Sequence, residues 1–214
     1  MSASDPLSDT LFRASTLPLA IASAAPVRER GTRTRAGNAM NRTRAALLDG
    51  ARRAVEANGT KITMAHIAAT AGVAKATLYN HFRTREAVLA ALVVDEVSTL
   101  IDRVAQRSLP EALAETANAL ALHPALRTLA RIEPGTLAAL GCIDRSAPAW
   151  RLAREGVVGA LASEQRGGAD LVLRWLASYL MSPASPSTIA GELAILLAAL
   201  PDAAPAAESA AHAS

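Results

Sequence analysis

Alanine has the strongest intrinsic preference for the α-helix and fills 51 of the 214 positions, while the β-branched and aromatic runs that strands need are scarce. Only six residues are aromatic: Phe12, Tyr79, Phe82, Trp150, Trp175 and Tyr179. Apolar residues recur at helical spacing between prolines and glycines, so a β-sandwich or barrel is excluded and an all-α fold is expected. The length suits one domain or two small ones. Cys142 is the only cysteine, which rules out an intrachain disulfide or thiolate zinc site and favours a reducing compartment. No window holds the roughly 18 apolar residues of a membrane span. The best, 189–200, is short and carries Glu192. Residues 17–25 (LPLAIASAA) resemble a signal-peptide core, but Asp5 and Asp9 spoil the basic leader, so a cytoplasmic protein is expected.

Charge is unevenly spread. Residues 1–40 carry five Arg against three acids, residues 41–90 carry eight Lys or Arg against three, and residues 91–214 carry nine Arg against thirteen. A basic block of fifty residues on a mildly acidic body fits a polyanion-binding head joined to a domain with another task, and fits equally a solvated charged face.

Residues 1–40 lack a hydrophobic period and read as a disordered arm, and the Ala/Pro-rich residues 202–214 read as a loose tail. Arg33 and Arg35 of the arm are suited to tracking a minor groove, although a solvated tail is the simpler reading. Asn41 or Thr43 caps a helix running to about 57, with Leu47, Leu48, Ala51 and Val55 on one face and Asn58-Gly59 as its stop. Thr63 caps a short helix to about 70, Ala71-Gly72-Val73 makes a tight turn, and residues 74–82 form a third helix. A fourth starts near Thr84 and runs to about 106. Further helices are punctuated by Pro110, Pro124, Thr136, Pro148, Gly167-Gly168 and Ser187. The expected organisation is a head over 41–100 and a helical body over 101–201.

Residues 63–82 (TMAHIAATAGVAKATLYNHF) place a short helix, a glycine turn and a second helix in twenty residues, the helix-turn-helix arrangement. Val73, Leu78 and Phe82 turn inward. Lys75, Ala76, Thr77, Tyr79, Asn80 and His81 are left on the other face, with no acid between Met64 and Thr84. Small residues are needed where the helices cross, a need that Ala68, Ala71 and Gly72 meet. An ordinary helical hairpin would explain the apolar positions but not the acid-free outer face.

Residues 42–90 resemble the DNA-binding domain of the TetR family of bacterial transcriptional regulators. The matching residues are Leu47-Leu48 and Ala51, Thr63 and Ile67-Ala68, Ala71-Gly72-Val73, Thr77-Leu78-Tyr79, His81-Phe82, and Arg85-Glu86 with Leu89. The resemblance implies that Lys75, Ala76 and Thr77 read base edges, that Tyr79 and His81 lie against phosphates, and that Thr63 and Arg85 clamp the DNA backbone at helix N-termini, with Arg44 as a further contact. Asn80 is suited either to an adenine edge or to solvent. Ala74 replaces the Ser frequent in the family and so gives up a helix cap, and Arg85 replaces the frequent Lys.

The resemblance also implies a homodimer built from the last two helices, with Leu173, Leu176, Tyr179, Leu193, Leu196 and Leu197, next to Leu171 and Ile189, at the interface. Two-fold symmetry then predicts double-stranded DNA with a palindromic operator as partner. A small-molecule effector is implied for the middle helices, around His123, Leu126, Cys142, Trp150, Leu161 and Trp175, although a dimer without effector is also compatible with the residues. Cys142 reads as a buried small hydrophobe and His123 as a helix-ending residue. The body offers no catalytic motif, and neither an enzyme activity, a metal nor a cofactor is expected. The sequence therefore points to an effector-released, sequence-specific repressor, with a non-specific architectural DNA-binding protein as the alternative.

Overall fold

The computed structural model describes residues 32–142, 144 and 146–202. The arm up to residue 31 and the tail from residue 203 lie outside them. Among the described residues there are ten helices and no strand: α1 (Thr32–Asn58), α2 (Met64–Ala71), α3 (Lys75–His81), α4 (Arg85–Val104), α5 (Leu109–Leu122), α6 (Pro124–Ile132), α7 (Pro134–Gly141), α8 (Pro148–Ser163), α9 (Ala169–Met181) and α10 (Pro186–Ala199). The fold is all-α. None of these helices is long and apolar enough to cross a membrane.

α1 starts well before the predicted cap. Thr43, expected to open the helix, instead donates its Oγ1 hydrogen to the Ala39 carbonyl at 3.0 Å, four residues back inside a helix already running. Residues 32–40 are therefore helical rather than part of an irregular arm. Once the packed stretch around Leu47 has nucleated the helix, adding residues at its N-terminal end needs only one φ/ψ pair each, and Gly37 and Asn38 do not stop it.

Contacts divide the described residues into two compact units, one comprising residues 32–96 together with Pro124–Leu140, the other Val97–His123 together with the described residues from Gly141 to Asp202. Assigning 124–140 to the C-terminal body is thus corrected. Ala125 joins the core of Leu47, Leu48, Ala51, Ile67, Leu78, Phe82 and Leu89, and Thr128 Oγ1 donates to the Glu56 carbonyl at 2.7 Å. Within this unit Arg52 of α1 ties α4 by ion pairs to Asp95 at 3.4 Å and to Glu96.

The second unit has its own core, drawn from Leu109, Leu113, Ala117, Leu161, Val172, Leu176, Tyr179, Ile189, Leu193 and Leu196. Tyr179 is buried and donates its hydroxyl hydrogen to Glu192 at 2.5 Å. Burial, and then that carboxylate, push the phenol pKa upward, so Tyr179 stays a neutral donor. At the entrance to α5 the Glu111 carboxylate accepts from the Ser108 hydroxyl at 2.8 Å and from the Ser108 backbone N–H at 3.1 Å. These bonds hold the Glu111 carboxyl below its usual titration range. Because the folded state favours the ionised form, this stabilisation is present above the ordinary carboxylate range and is lost as pH falls through the lowered value. The melting temperature should accordingly fall more steeply between about pH 5 and 3 in the wild type than in Glu111→Gln, when thermal melts are compared across that window.

Candidate nucleic-acid interface

The helix-turn-helix is built from local rules. Thr63, extended at φ −102°, caps α2 by accepting the His66 N–H at 3.1 Å. Gly72, at φ +68°, ends α2, its N–H donating to Ala69 O at 3.1 Å while the Val73 N–H donates to Ala68 O at 3.0 Å. α3 starts at Lys75 after Ala74, which supplies no side-chain cap. Leu78 and Phe82, four residues apart, anchor α3 in the core of the first unit.

With that face fixed, Lys75, Ala76, Tyr79 and Asn80 are exposed, Tyr79 at 51%, while Thr77 and His81 are half-buried. Four of the six residues expected on the outer face are therefore held outward on a braced helix, and Thr77 and His81 lie at its edges. Exposed Lys61, His66 and Arg83 add basic groups on the neighbouring segments. Arg44 of α1 stacks its guanidinium over the Phe82 ring, 4.7 Å from the centroid, which keeps a cation beside the end of α3.

Arg85 opens α4 and is half-buried, with 27% of its side chain exposed. Its Nε donates to Glu86 Oε1 at 2.9 Å and its Nη1 to the Thr60 carbonyl at 3.4 Å. The guanidinium is thus oriented by its own unit and keeps further N–H donors for a phosphate. Thr84 caps the same helix, accepting the Ala87 N–H at 3.1 Å.

Sequence reasoning missed three residues that shape this surface. Gly50 lies where α1 crosses α2, and a Cβ there would stand 2.6 Å from Ala71 Cα. Arg53 donates to the Thr70 carbonyl at the end of α2, 2.9 Å away, and pairs with Asp49. Glu133, buried at 7% exposure, receives Thr60. A glycine amid a helical period was the one available signal.

The residues expected around an effector fall in different places. Leu126 belongs to the first unit, and His123, Cys142, Trp150 and Trp175 to the second. Cys142 is exposed rather than buried, because it follows the end of α7 in the connection to α8. Trp150 is half-buried. Trp175 packs edge-on against Tyr179 with centroids 5.2 Å apart, and its buried Nε1 has no acceptor among the described residues.

The six residues assigned to a dimer interface lie inside the protomer. Leu173, Leu176, Tyr179, Leu193 and Leu196 are buried within the protomer, and Leu197 packs against the same core. They point inward because α9 packs on α5 and α8, and α10 on α5. The large apolar side chains that these helices turn outward are Leu171, Met181 and Ile195.

Residues 47–92 match the sequence profile described as bacterial regulatory proteins, tetR family. The fold is similar to that of the TetR family repressor AlkX from Dietzia sp. strain DQ12-45-1b, implicated in biodegradation of n-alkanes, at 20% identity over 72% of this chain and 92% of that one, with a TM-score of 0.55. Salmonella enterica GusR is similar at 19% identity over 72% and 93% of the two chains, with a TM-score of 0.50. No curated protein is significantly similar to the chain in sequence.

Proposed function

We propose that this chain is a member of the tetR family of bacterial regulatory proteins and a homodimeric, sequence-specific transcriptional repressor released from its operator by a small molecule. The observation that carries the reading is the outward face of α3, where Lys75, Ala76, Tyr79 and Asn80 are exposed while Leu78 and Phe82 hold the helix from behind. A helix presented in this way fits a major groove about 12 Å wide. Lys75, Ala76 and Thr77 meet base edges, Tyr79 and His81 meet phosphates, and Thr63 and Arg85 fix the register on the backbone. Asn80 takes an adenine edge. The +5 excess of residues 41–90 supplies the salt-dependent part of the affinity.

Dimerisation runs through the outward faces of α9 and α10, where Ile195 is 73% exposed. Two copies then present their α3 helices to a palindrome with half-sites about 34–36 Å apart. The second unit takes an apolar or amphipathic effector near Trp175, whose partly buried ring packs against Tyr179. Release requires that the effector bind the DNA-incompetent state more tightly. The site of action is the cytoplasm.

The test is the ratio of affinities for a duplex selected from a random pool and for random duplex, measured by fluorescence anisotropy across a salt series. The expected ratio is about 10³ or more. A ratio near one would instead make the protein an architectural binder that reads charge alone. Thr77→Ala or Asn80→Ala should narrow the ratio by about tenfold. Arg85→Ala should weaken both duplexes alike and reduce the salt slope by about one unit.

A further inference from the structure

Glu133 is the only buried charged side chain among the described residues, and its partner lies 73 positions earlier in the chain. It stands between α6 and α7, where its own N–H donates to Leu129 O at 2.8 Å and its carbonyl accepts from Leu137 N at 3.1 Å. Its Oε1 accepts the Thr60 backbone N–H at 2.7 Å. Its Oε2 accepts the Thr60 hydroxyl and, at 3.3 Å, the Thr136 hydroxyl. Burying a carboxylate is costly unless hydrogen bonds replace its water, and here three donors converge on it.

What the carboxylate grips is the turn between α1 and α2. Gly59 adopts φ +70°, and a Cβ on it would overlap Glu133 Oε1 and stand 2.8 Å from Ile132 Cδ1. Thr60 faces both ways. Its N–H and hydroxyl go to Glu133, while its carbonyl takes Arg85 Nη1 at 3.4 Å. Two residues on, Ile62 enters the core, and Thr63 then caps α2. The turn thus sets at once where Arg85 is aimed and where α2 begins.

We propose that Glu133 is a positioning residue for DNA binding: from the α6–α7 junction it locks the Gly59–Thr60 peptide so that Arg85 and the N-terminus of α2 meet the phosphate backbone together. The role rests on the reading of α3 and its flanks as a DNA interface. Glutamine in its place keeps an acceptor for the Thr60 N–H and donates to hydroxyls that rotate to accept, whereas alanine leaves the Thr60 N–H buried and unpaired.

The test uses the full chain and a duplex selected from a random pool by the wild type, titrated by anisotropy at several salt concentrations. Glu133→Ala should bind about tenfold more weakly with a salt slope reduced by about one, and Glu133→Gln should stay within about twofold of wild type. In an Arg85→Ala background, Glu133→Ala should cost clearly less than in the wild type, since part of its effect runs through Arg85 and only the part through the N-terminus of α2 remains. Should the alanine variant fail to fold, Thr60→Val removes the hydroxyl donor alone and should weaken binding about threefold, again adding only in part to Arg85→Ala. The proposal is overturned if Glu133→Ala or Thr60→Val keeps the wild-type slope, if either loss adds in full to that of Arg85→Ala, or if Glu133→Gln binds as poorly as Glu133→Ala. A wild-type chain that binds no duplex even at low salt overturns the DNA-binding reading itself, a result distinct from all of these.

Discussion

Replacing Gly50 with valine should lower the stability of the first unit by about 3 kcal/mol or more and abolish duplex binding under conditions where the wild type saturates. The first branch atom is already in conflict. A Cβ at position 50 would stand 2.6 Å from Ala71 Cα and 2.7 Å from Ala71 N, and both are backbone atoms that no rotamer change can move aside. The helices must then separate, which opens the core of Leu47, Ala51, Ile67, Ala68 and Leu78 on which the bracing of α3 depends. Since a domain is stable by only about 5–15 kcal/mol, the loss is a sizeable share of the whole. Thermal melting followed by circular dichroism should show a drop of about 6–12 °C. Gly159→Ala is the control, because its added methyl meets nothing within 4 Å on α8 and should stabilise the helix by about 0.5–1 kcal/mol. A Gly50→Val chain that melts like the wild type would refute the close crossing.

The head was legible in the sequence because its determinants are local. Leu78 and Phe82 stand four apart, Gly72 marks the end of one helix, and the acid-free stretch between them separates an inner from an outer face. The start of α1 was not legible, since Thr43 is as well suited to a cap as to the back-bond it makes with Ala39, and nothing in the residues themselves decides between them. Glu133 was hidden for a different reason. A carboxylate beside Pro134 reads as ordinary surface until the turn at Thr60 is brought to it from 73 residues away. The body was ambiguous in direction rather than in content. α10 is apolar nearly all round, so periodicity could not distinguish Leu193 and Leu196, which fill the core, from Ile195, which faces water. Both leucines suit a partner's surface as well as the protomer's own core, and the structure places them in that core.

That placement separates two mutations with opposite signatures, and the sharper is Ile195→Glu. At 73% exposure the isoleucine contributes little to its own protomer, so the melting of an isolated chain should change by no more than about 0.5 kcal/mol. Around it on α10, Gly191, Ala194 and Ala198 are also exposed, and the Gly191 position is open for 4 Å, so a second helix can approach closely. A two-fold interface takes every substitution twice: one change removes two apolar side chains and introduces two carboxylates. If the copies meet on this face, sedimentation should therefore show dimers for the wild type and monomers for the variant. Affinity for a palindrome should fall by about 10²–10⁴, because the second half-site is no longer tethered to the first, while affinity for a single half-site stays unchanged. Leu193→Ala should behave in the reverse way, costing the protomer about 2–5 kcal/mol through a cavity in its core. If Ile195→Glu sediments as a dimer and binds the palindrome like the wild type, the outward face of α10 is not where the copies meet.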